Sequence, residues 1–278
     1  MRRRIGGRLG SLLRDSQWGR MARLCLRRAQ PDGDMNRPFV HRMALGDATT
    51  AARWDAFVQA CPAATFGLEQ AVNAIKSGSA KCVLVINPEI TSGHQEWKDR
   101  DCHFIFGDVA TATIVERADT ATSSEQWEVL GSKLATQFSN NIRNNFGYLN
   151  RSEDSDPTAR DKTFRQEGRK VFKEVVPIAA AHIESELTEL GLAAADVRRY
   201  WLHQANLSMN QLIVKRLTGG EVTPDVAPLI LDEYANTSSA GSIIAFHLHK
   251  SDLASGDVGV ICSFGAGYSV GCVVVRKR

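Results

Sequence analysis

The chain has 278 residues, 43% of them hydrophobic and 23% charged, enough apolar material for one large domain or two small ones. That composition excludes collagen-like, coiled-coil and wholly disordered proteins, and no run approaches the twenty apolar residues a bilayer-spanning helix needs. The net charge of +3 hides an asymmetry: residues 1–60 hold 12 Arg and 5 Asp with no Lys or Glu, while residues 61–278 use both freely and balance at −4.

The opening segment, 1–60, lacks the apolar core of a secretory signal, because Arg8 and Arg14 interrupt Leu9, Leu12 and Leu13. Its Arg-rich texture fits an organelle-targeting segment or a basic arm for phosphates. The absence of Lys favours a segment outside the fold, either disordered or translated from a wrong start or shifted frame. No function is assigned to it, and no nucleic-acid or membrane partner is expected.

From position 61 the pattern is that of an α/β protein. Ala63 to Lys76 has Phe66, Leu68, Val72 and Ile75 at helical spacing, with Pro62 as its first helical residue and Ser77-Gly78-Ser79 as its stop. Cys82 to Ile86 reads as a strand buried on both faces, and Ala110 to Val115 as a second strand. Trp127 to Leu134 is a third. Gln137 to Arg165 is polar and reads as a long loop or lid. Glu167 to Leu190 is a long helical pattern that Val176-Pro177 should kink or divide. Tyr200 to Leu202 reads as a short strand, Leu207 to Leu217 and Ser239 to His249 as helices. Val258 to Phe264 and Ser269 to Val275 form a closing strand pair. The order strand, glycine turn, strand occurs at Phe106-Gly107-Asp108 and again at Phe264-Gly265-Ala266-Gly267. This echo suggests a layered α/β/α sandwich built from a duplicated half.

None of the six cysteines forms a C-x-x-C pair, so zinc-ribbon and thioredoxin readings fall away. His247 and His249 are spaced wrongly to share a metal on a helix, and no metal site is proposed. With no secretory signal, the cysteines fit a reducing cytoplasm. Cys82, Cys262 and Cys272 sit in predicted strands as small hydrophobes. Cys61 stands at a helix start, where unpaired N–H groups and the helix dipole lower a thiol's pKa. The residues alone leave a nucleophile and a structural thiol both open. His203 stands where a strand runs out toward a helix, a place where active-site residues gather in α/β folds.

Four segments occur in order: Cys61-Pro62-Ala63-Ala64-Thr65-Phe66-Gly67-Leu68, His203-Gln204-Ala205-Asn206, Asn236-Thr237-Ser238-Ser239-Ala240-Gly241-Ser242, and Phe264-Gly265-Ala266-Gly267-Tyr268. From Cys61 to Arg278 the chain resembles the β-ketoacyl-acyl-carrier-protein synthase III family of thiolase-fold condensing enzymes. The wording near Ile105-Phe106-Gly107-Asp108 resembles the branch that takes medium-chain primers. The resemblance implies a thiolase-like fold and a Cys61–His203–Asn236 triad. Cys61 would take an acyl group from an acyl-CoA, with the backbone N–H groups of Cys61 and Ala266 stabilising the oxyanion. Neutral His203 and the Asn236 amide would hold the thioester carbonyl of malonyl-acyl carrier protein while CO2 leaves. Arg100 matches a position near the CoA adenine, and Asn206 is carried over as a substrate-binding residue. No cofactor is implied beyond these substrates, and the family is homodimeric.

The chain departs from the family in two places. Ser208 stands where a basic residue often helps dock the carrier protein. Ala52 to Ala60, just before Cys61, is a poor central strand with two charges, so the N-terminal half is expected to be incomplete. Two alternatives accompany the condensing reading: a thiolase-fold acyltransferase with another acceptor, and an inactive truncated or frame-shifted remnant.

Overall fold

A computed structural model describes residues 61–89, 91–143 and 163–278. The Arg-rich segment 1–60 and the middle of the expected loop, 144–162, lie outside the described residues, together with the expectations placed on them.

The elements run α1 (Ala63–Lys76), β1 (Cys82–Glu89), β2 (Val109–Glu116), β3 (Trp127–Ser139), β4 (Ile142–Arg143), β5 (Arg165–Gln166), α2 (Gly168–Glu189), β6 (Val197–Leu202), α3 (Leu207–Thr218), α4 (Leu231–Tyr234), α5 (Ala240–Leu248), β7 (Val258–Gly265) and β8 (Gly267–Lys277). Strands β3, β8, β7 and β6 form one sheet in that order. β6 runs parallel to β7, whereas β7–β8 and β3–β8 are antiparallel. β1 and β2 form a separate antiparallel pair, as do β4 and β5.

Period-two alternation sorts the larger sheet's side chains onto two buried faces. Tyr200, Leu202, Val260, Cys262, Cys272 and Val274 pack against α2 and α3 through Val175, Ile183, Leu187 and Ile213. Trp201, Ile261, Val273 and Val275 face the other way, against α1 and α5 through Ala64, Leu68, Ile243 and Ile244. Val85, Val109 and Val115 of the β1–β2 pair close on the far side of that second cluster. Helices α1 and α5 therefore lie between two sheets, which makes four layers, β/α/β/α, among the described residues. Such a position needs a helix with little polar surface. In α5, Ala240 through Ala245 are all buried.

The duplication is visible in the element order. Helix, strand, antiparallel strand describes α1–β1–β2 and again α5–β7–β8.

Several sequence expectations need correction. Pro62 is the N-cap of α1 rather than its first helical residue. β1 is half-buried along most of its length, not buried on both faces; among the described residues it has β2 as its one ladder partner. β3 continues to Ser139 into the expected loop, and β4 and β5 bracket it. Pro177 does not divide α2, which is assigned as one helix from Gly168 to Glu189. A proline inside a helix costs about 3 kcal/mol. Val175, Val176, Ala179, Ala180 and Ile183 are buried on both sides of it, and burying each Val or Ile contributes about 1.5–3 kcal/mol, so packing carries the helix through.

Candidate active site

Each site residue sits at an end of a regular element. Cys61 precedes Pro62, the N-cap of α1, whose first turn is closed by Phe66 N–H and the Thr65 hydroxyl donating to the Pro62 carbonyl (3.1 and 2.9 Å). His203 directly follows β6, its N–H held by the Cys262 carbonyl of β7 at 2.8 Å. Asn206 caps α3, its Oδ1 accepting from the N–H groups of Ser208 (2.9 Å) and Met209 (3.3 Å), while Gly219 in the left-handed region ends that helix.

Asn236 is gripped by the first half of the chain. Its N–H donates to the Ile105 carbonyl at 2.7 Å and its carbonyl accepts from Gly107 N–H at 3.0 Å, a parallel bridge centred on Phe106. Asp108 braces that turn by accepting from Ser92 N–H at 2.8 Å and from the Ser92 hydroxyl at 2.5 Å. The geometry thus gives Phe106-Gly107-Asp108 a turn-shaping role. Asn236 Oδ1 accepts from Ser238 N–H at 3.0 Å. The amide oxygen is therefore committed to the loop, and the NH2 group is left to donate.

These residues meet in one cavity of about 210 Å³, lined by Cys61, His203, Asn206 and Asn236. Its remaining wall is largely apolar, with Ile105, Phe106, Ile142, Phe164, Val171, Phe172, Val175, Met209 and Phe264, joined by the polar side chain of Gln166. Phe106 and Phe164 meet edge to face at 4.8 Å between centroids. Arg100 does not join this group: it is exposed and absent from the cavity lining.

The electrostatics correct one expectation. Burial pushes the Cys61 thiol up to about 11, against the weaker downward pull of the Ser238 hydroxyl and the backbone groups of Cys61 and Ala266. The negative charge of Glu89 adds to the upward push. Desolvation therefore outweighs the helix N-terminus, and the resting group at neutral pH is a thiol. His203, 2% exposed, is driven by burial down to about 4, with a Ser238 backbone group pulling weakly upward; its imidazole is neutral at pH 7. Its ring packs edge to face on Phe264 at 5.3 Å, and its Nδ1 is buried with no hydrogen-bond partner among the described residues.

The sequence reading assigned no role to Glu89, to Ser238 or to the aromatic wall. Phe106 stood next to a recognised turn, and Ser238 lay inside a quoted motif; Phe164 and Phe172 carried no local signal.

Comparison with known proteins shows the family of the chain. Residues 57–137 match the family described as 3-oxoacyl-[acyl-carrier-protein] synthase III, and residues 187–277 match the C-terminal part of the same family. A β-ketodecanoyl-[acyl-carrier-protein] synthase of Pseudomonas aeruginosa is 56% identical over 219 residues, 79% of this chain and 63% of that protein. A β-ketoacyl-[acyl-carrier-protein] synthase III of Roseiflexus castenholzii is 31% identical over 231 residues, 82% of this chain and 68% of that protein. The crystal structure of 3-oxoacyl-[acyl-carrier-protein] synthase III from Aquifex aeolicus superimposes with a TM-score of 0.66 at 26% identity, over 78% of this chain and 65% of that one. The chain spans just under two thirds of the length of the Pseudomonas relative. With its thiolase-type layering and a Cys, a His and an Asn facing one cavity, the chain belongs to the β-ketoacyl-acyl-carrier-protein synthase III family.

Proposed function

We propose that the chain is a condensing acyltransferase of the synthase III type, acting at the start of fatty acid chains. The observation that carries this reading is the convergence of Cys61, His203 and Asn236 on one cavity with a largely apolar wall. The Cys61 sulfur attacks the acyl-CoA thioester carbonyl, and the tetrahedral oxyanion is held by the N–H groups of Cys61 and Ala266. CoA departs as its thiol, taking up the proton that Cys61 gave up. Malonyl-acyl carrier protein then enters. His203 and the Asn236 NH2 donate to its thioester carbonyl, so that electron density from the breaking C–CO2 bond collects as an enolate between neutral donors. The enolate carbon attacks the acyl-Cys61 carbonyl, releasing the β-ketoacyl product and the Cys61 thiolate, which takes up a proton from solvent to return to the resting thiol.

The Pseudomonas relative is named for a β-ketodecanoyl product. Subtracting the two carbons that malonyl contributes leaves an octanoyl primer, which suits the wall of Phe106, Phe164 and Phe172. Asn206, on the cavity wall, is assigned to substrate binding, and Arg100, on the exposed surface, to the adenine of CoA. With Ser208 in place of a docking cation, carrier-protein recognition falls to other basic residues. The acting form is assigned as a cytoplasmic homodimer.

Incubation with octanoyl-CoA followed by intact-mass spectrometry tests the reading. An octanoyl-sized gain that disappears in Cys61→Ser, followed by β-ketodecanoyl-carrier protein on adding malonyl-carrier protein, is the expected result. Loading without that product assigns the acyl group to another acceptor. No gain in cooperatively folded protein identifies an inactive remnant.

A further inference from the structure

Glu89 is the last residue of β1, 150 positions from the loop it touches. Its Oε1 accepts from Ser239 N–H at 3.1 Å and also from the Ser239 hydroxyl. Ser239 is fully buried, so without Glu89 both donors would lack a partner in a place water does not reach. The neighbouring backbone needs such a hold. Ala235 (φ 59°) and Ser238 (φ 51°) both lie in the left-handed region, which residues with a β-carbon adopt only where the surroundings impose it. Between these two stands Asn236, whose side-chain oxygen is fixed by Ser238 N–H. The Ile105 and Gly107 backbone groups secure the loop before Ser238, and Glu89 secures it after. The Ser238 hydroxyl also pulls the pKa values of both Glu89 and Cys61 downward, against the upward push of burial.

We infer that Glu89 is a positioning residue: by clamping Ser239 it holds Ser238 in its left-handed conformation and so keeps the Asn236 amide turned with its NH2 toward the cavity. The inference rests on the condensing reading above and deepens it. If the clamp is lost, the Ser238 peptide relaxes toward an unstrained φ and its N–H leaves Asn236 Oδ1. The amide is then free to rotate. Binding of carrier protein is expected to be unaffected, because Glu89 does not line the cavity. The loss therefore falls on the decarboxylation rate rather than on KM.

The test compares Glu89→Gln, which keeps a carbonyl acceptor, with Glu89→Ala, which removes it. Decarboxylation of malonyl-carrier protein and amide hydrogen exchange at Ser238 and Ser239 are both measured. Glu89→Gln is expected to retain kcat within about threefold, while Glu89→Ala loses roughly tenfold or more with KM unchanged and exchanges the Ser239 amide faster. Wild-type kcat together with unchanged exchange in Glu89→Ala would overturn the inference. If the wild-type chain itself neither loads nor decarboxylates, the condensing reading fails separately, and exchange at Ser238 and Ser239 still decides the clamp: faster in Glu89→Ala alone supports it, equal rates overturn it. Should Glu89→Ala fail to fold, Ser239→Ala removes one donor to the same carboxylate. It is then expected to speed exchange at Ser238, and an unchanged rate would refute the clamp.

Discussion

Gly265 and Cys61 are in contact: a β-carbon built on Gly265 would stand 2.4 Å from the Cys61 Cβ and 2.9 Å from its Sγ. The β7–β8 turn thus presses its bare backbone against the sulfur, which lets the adjoining Ala266 backbone reach it. Gly265→Ala must displace either the turn or the cysteine. Octanoyl loading measured by intact mass is expected to fall by roughly a hundredfold, since an ångström of misplacement is enough to cost that much. Loading at the wild-type rate would show that the turn is not part of the site.

Stability should depend on pH through His203. Its pKa lies near 4 in the fold because burial opposes the charge, against roughly 6.5 in an unfolded chain. Between those values the unfolded state binds more protons, so stability rises with pH over this window and is complete above about 6.5. His182 and His247 are also lowered, in both cases chiefly by burial, and add to the same slope. The melting temperature is expected to fall as pH drops from 6.5 toward 4, and His203→Gln is expected to flatten that decline. Parallel curves for the two proteins would remove His203 from the account.

Arg199 supplies a separate stability test. It is 3% exposed on β6, yet its guanidinium is fully engaged: Nε with the Asp225 carbonyl, Nη1 with the His249 carbonyl and Asp252, and Nη2 with Asp252 and Asp225. Both aspartates keep more than half of their side-chain surface in solvent, which limits what their charges contribute. Arg199→Ala strips the Asp225 carbonyl and both carboxylates of this donor, while Trp201 Nε1 still donates to the His249 carbonyl, and is expected to cost about 2 kcal/mol, read from the urea midpoint. Arg199→Lys should recover little of that, because an ammonium group cannot span partners arranged around a planar fork.

Glu186 runs the other way. It is buried on α2, and burial first, then the charge of Glu189, raises its pKa. A carboxyl raised above its unfolded value contributes stability below about pH 4.5, and that contribution is lost as pH rises through the folded value. Glu186→Gln removes the need to bury a charge. It should raise the melting temperature by a few degrees at pH 8 and leave it nearly unchanged at pH 4.

The regular elements were legible because their signals are local. The apolar run Val258 to Phe264 marks a strand buried on both faces, and the spacing of Val171, Val175, Ile183 and Leu187 marks the buried face of a helix. Misreadings occurred where a distant partner overrides a local rule. Pro177 stays inside one helix because its neighbours are buried on both sides, and β1 is only half-buried because its environment is set by which strands pair with it.

The sequence by itself carried the family resemblance through the motifs around Cys61, His203 and Asn236, and its periodicity marked most of the strands and helices beside which these residues stand. Only the tertiary structure decided their states. Burial, which no residue reports about itself, turns the helix-start thiol of Cys61 into a weak acid and keeps His203 neutral. The orientation of Asn236 depends on Ile105, Gly107 and Ser238, and the loop around it on Glu89, partners as far as 150 positions away that meet only when β1 and the loop before α5 are packed together.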